Sequence, residues 1–182
     1  MTDNQMMIAL IGEIESQLTN YGAIDFEVSR NQQPTNQYTG ADKDDSIKTR
    51  VFLYPITNPS VGKNRRYQGD DQNFERVDTQ HKSKSIQISV VHYFDYTDVN
   101  AMTPEDMCNL VHDLIDSPDA IKSLRGSDVY LQDAGDVRPV FSVNDKDQTE
   151  SVPNFDITVN YQSSITKSAA YVDDAVGEFD GV

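Results

Sequence analysis

A single cysteine, Cys108, stands among 182 residues, and tryptophan is missing altogether. One thiol can neither close an internal disulfide nor build a Cys-rich zinc cluster, so both scaffolds are excluded and a reducing cytosol is the expected setting. Basic side chains are also scarce. Fifteen Lys and Arg face thirty Asp and Glu, a net charge of −15, and a field of that sign repels a phosphate backbone. No apolar run approaches the ~20 residues that a bilayer-crossing helix needs, and Met1 leads into Thr2-Asp3-Asn4 rather than the basic-then-apolar order of a secretion signal. Neither membrane association nor export is expected. The hydrophobic share is only 37%, low for a globular domain, so part of the chain is expected to be loop or arm around one folded unit.

What is present has clear periodicity. Met7, Leu10, Ile11, Ile14, Leu18 and Tyr21 recur at helical spacing, with candidate caps in Thr2-Asp3-Asn4 and a stop at Gly22. Ile24, Phe26 and Val28 then alternate as a strand with one wet face. Residues 29–48 have no period and read as a loop. Residues 51–56 form an apolar strand whose far end, at Pro55, is expected at an edge or leaving the sheet. Residues 83–96 alternate over a long strand, with Ile86, Ile88, Val90, His92 and Phe94 on one side. Between these two strands, residues 57–82 are too polar to form a layer and are expected to project as a long hairpin or flap.

Thr103-Pro104-Glu105-Asp106 reads as a helix start, with an N-cap, a proline in the first turn and two acids beside the dipole. Met107, Leu110, Val111, Leu114 and Ile115 follow as its buried stripe. Ser117-Pro118 ends that helix or restarts a short turn running to Gly126. Short strands are expected at 129–132 and 137–143 around the turn 133–136. After a polar tip at 144–151 comes a last alternating strand, Asn154 to Tyr161. The tail from Gln162 onward carries Asp173, Asp174, Glu178 and Asp180 with no base after Lys167, and reads as an arm that orders against a neighbour.

Because the strands cluster instead of alternating with helices, the expected class is α+β: a mostly antiparallel sheet with two helices packed on one face, a projecting hairpin and a C-terminal arm. Residues 1–165 are read as the domain and 166–182 as the arm.

The search for chemistry is short. Cys108 and His112 share a helical side but sit at the edge of the apolar stripe, with no third ligand to complete a site. The acidic pairs Asp44-Asp45, Asp70-Asp71 and Asp173-Asp174 lie in loop or tail, where solvated acids are the simpler reading. Residues 145–150 begin like a calcium loop but place Glu150 where glycine is required. Neither a phosphate-cradling glycine loop, nor a Gly-x-Ser-x-Gly elbow, nor a His-Glu-x-x-His pair occurs. No catalytic, cofactor or metal residues are therefore assigned, and an enzyme is not expected. The one basic cluster, Lys63-Asn64-Arg65-Arg66, lies on the projection. Two readings fit it: it solubilises an exposed loop, or it complements a neighbouring copy's acids, which makes Lys63, Arg65, Arg66, Asp70, Asp71, Asp173, Asp174 and Glu178 candidate interface residues.

Two blocks resemble a known family. Lys84-Ser85-Ile86-Gln87-Ile88-Ser89-Val90-Val91-His92-Tyr93-Phe94, passing through Asp98-Val99-Asn100-Ala101 into the capped helix, is similar to the middle of tailed-bacteriophage neck or tail terminator proteins. Residues 129–140 and 154–162 are similar to that family's closing strands. The resemblance covers most of residues 6–165, and neither the loop at 29–48 nor the acidic tail has a counterpart in it. It implies a structural virion subunit assembled in the host cytoplasm, six copies forming a ring that caps the tail tube. The implied partners are the head connector or adaptor and the tube or sheath proteins, with DNA passing through the lumen without specific binding. The competing readings are a tail-tube or baseplate-associated subunit, an acidic adaptor that binds a basic host protein, and a small metal-dependent hydrolase.

Overall fold

The computed structural model describes residues 1–30, 48–57, 60–69, 74–94, 97–143 and 149–169. Helix α1 spans Asp3–Tyr21. Thr2 and Gln5 cap it reciprocally: the Gln5 N–H donates to the Thr2 hydroxyl at 3.2 Å and the Thr2 N–H to the Gln5 side chain at 2.8 Å. Gly22, at φ 92°, turns the chain out of the helix through the left-handed region. Met6, Met7, Leu10, Ile14 and Leu18 form the buried stripe, whereas Tyr21 in the last turn is exposed, as is Ile24 after the cap.

The Thr103 signal is realised as α2, Pro104–Ile115, with the Thr103 hydroxyl and the Asp106 carboxylate closing a second capping box. Ser117 then caps a separate helix, α3, Pro118–Gly126. The helical layer thus has three helices, because a new cap directly after Asp116 lets the chain change direction.

The described residues also form eight strands: β1 Phe26–Arg30, β2 Thr49–Thr57, β3 Ser60–Gly69, β4 Phe74–His92, β5 Val129–Ala134, β6 Phe141–Val143, β7 Thr149–Ser151 and β8 Asn154–Ala169. The main sheet has the order β1-β2-β4-β8-β5, and β3 also pairs with β4. All its pairings are antiparallel except β1 with β2. Strands β6 and β7 form a small sheet of their own. The fold is α+β, with the sheet covered by helices on one face. The register of β1 with β2 runs from Phe26 opposite Thr49 to Arg30 opposite Leu53, and Pro55, two residues further on, pairs with Ile86 of β4.

The long strands correct two sequence-based boundaries. β4 begins at Phe74, not Ser83, and β8 continues past Tyr161 to Ala169. Residues 162–169, expected to belong to the tail, are a strand paired with β4 from His81 to Phe74. Residues 31–47 and 170–182, where the loop and most of the arm were expected, lie outside the described residues, as do residues 70–73 and 144–148.

The core lies between the helices and the inner face of the sheet, where Val51, Leu53, Ile86, Ile88, Val90, Phe155, Ile157 and Val159 meet the α1 stripe and Met107, Val111 and Ile115. Each such side chain contributes about 1.5–3 kcal/mol on burial. Glu13, almost fully buried, accepts hydrogen bonds from Ser123 Oγ and Gln17 Nε2 and so ties α1 to α3. Cys108, expected at the edge of the apolar stripe, is wholly buried within it. Its thiol pKa is pushed up to about 12 by burial, reinforced by the nearby Glu105 charge. His112 sets its ring edge-on to Phe155 at 5.1 Å between centroids. Cys108 is accordingly expected to resist a thiol-directed reagent at neutral pH and to react once urea unfolds the chain. Rapid labelling of the native protein would contradict this placement.

A candidate assembly surface on the sheet extension

Helix cover ends before the sheet does. The last fully buried sheet residue along β8 is Tyr161. Beyond it, residues 60–69, 74–82 and 162–169 continue as a three-stranded extension, β3-β4-β8. Eight further residues of strand carry it about 26 Å past the core. Its side chains alternate between two faces, and directly paired residues share a face.

On the face continuous with the helix-covered side, Lys63, Gln80 and Ser163 form one row, Arg65, Asp78 and Ile165 the next, and Arg76 stands opposite Lys167 in a third. Asp78 accepts from Arg65 and from Arg76, each at 3.0 Å. Although desolvation opposes the shift, these guanidinium groups hold its carboxyl below the usual range. Lys63, Arg65, Asp78, Gln80, Ser163 and Ile165, together with Asn64 and Thr79, line a groove of about 390 Å³. The opposite face carries Asn64, Arg66, Val77, Thr79, Ser164 and Thr166, almost all uncharged.

At the border between the covered and uncovered sheet sits an ionic clamp. Asp3, in the first turn of α1, receives Lys82 Nζ at 3.1 Å, Lys84 Nζ at 3.0 Å and the Tyr161 hydroxyl. The Tyr161 hydrogen bond, followed by the two ammonium groups, holds the Asp3 carboxyl well below the usual carboxylate range against the effect of partial burial. Burial, with Asp3 beside it, pushes the Tyr161 phenol up. Sequence reading missed this cluster. The signal was available: Lys82 and Lys84 occupy the same strand parity as Ile86 and Ile88, and a lysine on a core-facing position demands a buried acid.

The expected interface residues are distributed unequally. Lys63 and Arg65 share the groove face, but Arg66, next in sequence, points from the other face, so strand alternation divides the cluster read as one patch. Asp70, Asp71, Asp173, Asp174 and Glu178 lie outside the described residues. Among the described residues no three His, Cys, Asp or Glu side chains gather as metal ligands would, and no helix is long and apolar enough to cross a membrane. Charge is segregated. Residues 60–69, 74–82 and 162–169 carry six Lys or Arg against two Asp or Glu, net +4, which leaves −19 on the rest of the chain.

A three-helix α+β domain with a charged sheet extension has the build of an assembly subunit, and comparison with known families defines which kind. Residues 5–171 match the family described as E217 gateway protein gp29. The chain belongs to that family, a family of phage neck proteins. The match supports the neck, and does not single out the tail terminators that the sequence blocks resemble. No curated protein matches the chain.

The clamp makes a specific prediction. Asp3→Asn leaves Lys82 and Lys84 facing each other without a counter-charge. It is expected to cost about 1–2 kcal/mol near neutral pH, a figure discounted for the one-third exposure of the carboxylate. Because the folded pKa lies below the unfolded value of about 3.9, the stabilisation is fully present above that value and is lost as pH falls toward the folded pKa. Urea unfolding at neutral pH and below pH ~4 should therefore show the gap between wild type and variant closing in acid. A gap independent of pH would contradict the clamp.

Proposed function

We propose that this protein is a structural ring subunit at the junction of the phage head and tail. Its neck family is the observation that carries the reading. Six copies close a ring that caps the tail tube, as in a tail terminator, and present their other side to the head connector or adaptor. Tube and sheath proteins are the tail-side partners. The genome passes through the lumen without specific binding, and assembly takes place in the host cytoplasm. No step of this role calls for catalysis or a cofactor.

The charge segregation supports ring closure. A basic extension on an acidic chain favours contact between unlike surfaces of successive copies, and such head-to-tail contacts give a ring where the rotation from copy to copy closes. Lys63 and Arg65 form the basic side of this contact, and Arg66 adds to the charge of the extension from its opposite face. The acids Asp70, Asp71, Asp173, Asp174 and Glu178 take part at the tips and tail. With −15 per copy, the ring also repels the DNA that threads it, which keeps the genome from sticking during passage.

Quantitative mass spectrometry of purified particles tests this reading through the ratio of this chain to the major capsid protein. A ratio equivalent to one ring per particle is expected. Abundance on the scale of a tail tube, or absence from the particle, would overturn it.

A further inference from the structure

We propose that the basic groove face of the extension is the seat for the acidic C-terminal segment, residues 170–182, of a second copy. The inference rests on the ring reading and names the contact that links one copy to the next. Three observations carry it.

The first is the electrostatic state of the groove face. Arg76 and Lys167 are directly paired across β4 and β8, and like charges in that position repel. The acid Asp78 is already shared between Arg65 and Arg76. Among the described residues, Lys63 and Lys167 form no ion pair, so this face holds more positive charge than its own acids neutralise.

The second is the match in composition. Residues 170–182 contain Asp173, Asp174, Glu178 and Asp180 and no Lys or Arg, interspersed with Tyr171, Val172, Val176 and Phe179. The groove presents the same combination in opposite sign, with Lys63 and Arg65 on its β3 side and Ile165, an isoleucine that is 57% exposed, on its β8 side. Acids meet bases and one apolar side chain finds another.

The third is direction. Ala169 pairs with Phe74 at the outer end of the extension, so the chain leaves β8 heading away from its own helices and its own groove. Thirteen residues reach up to about 45 Å when extended, enough to meet a neighbouring subunit. Duplex DNA is the competing occupant of a basic face. It is disfavoured because the rest of the chain opposes it with −19.

The test uses full-length protein with the tail neutralised by Asp173→Asn, Asp174→Asn, Glu178→Gln and Asp180→Asn, which leaves the groove untouched. A fluorescent peptide of residues 170–182 is titrated into it and anisotropy recorded. Binding is expected, weakened roughly tenfold or more by adding Lys63→Glu and Lys167→Glu and also by high salt. Circular dichroism confirms that each variant is folded. Absence of binding, equal binding by the charge-reversed variant, or binding of a short DNA duplex in place of the peptide would overturn the proposal. Mixing the tail-neutralised protein with a groove-reversed protein that keeps its native tail should give a complex by sedimentation. If the peptide binds but the two proteins do not combine, the tail seats on its own groove and the second-copy claim fails. The peptide assay reads the contact and particle stoichiometry reads the ring, so failure of one is distinguishable from failure of the other.

Discussion

The backbone ladder between β4 and β8 runs farther than the helices that cover it, and the rest of the structure follows from that mismatch. From Ser89 opposite Asn154 to Phe74 opposite Ala169 the pairing is unbroken. Over the covered stretch, one face buries Ile86, Ile88, Phe155, Ile157 and Val159 against the helices. Past Tyr161 no described helix covers the sheet, and there the strands are held by their ladder hydrogen bonds and by side-chain pairs such as Thr79 with Ser164. Most of the side chains described on its two faces are polar, with Ile165 and Val77 as exceptions.

That geometry concentrates mechanical and electrostatic demand at the border. The Asp3 carboxylate fixes the start of α1 to both Lys82 and Lys84 and to Tyr161, at the point where covered sheet becomes exposed sheet. It neutralises the lysines nearest the core and leaves the outer bases to set the charge of the extension. The result is a positive lever on a negative body. On the proposed ring reading, this charge segregation favours contact between unlike surfaces of successive copies.

Much of the body was legible because its signals are local. Thr103-Pro104 marks a helix start in the sequence, whereas Ser117-Pro118 fits either the end of that helix or a short turn, and only the structure shows it capping a third helix. The alternation through Ile86, Ile88 and Val90 identified a strand with one buried face. The resemblance of residues 83–116, 129–140 and 154–162 points to the phage neck, where the family match also lies. The extension was not legible as sheet. Period-two hydrophobicity exists only where one face is buried, and Gln162, Ser163, Ser164 and Thr166 have no buried face to mark. For the same reason Lys63, Arg65 and Arg66 read as one basic patch, until the register placed Arg66 on the other side. Cys108 was misplaced by reading α2 alone, since it is the packing of that helix against α1 and the sheet that closes over the thiol.

The central claim is that the uncovered extension is the element by which copies join in a ring at the neck. Electron cryo-microscopy of intact particles tests it most directly, by tracing this chain at the head–tail junction. The account predicts a closed ring in which each β3-β4-β8 extension lies across the adjacent copy. A neck in which the copies touch only through their helical bodies, with the extensions contacting no neighbour, would contradict it.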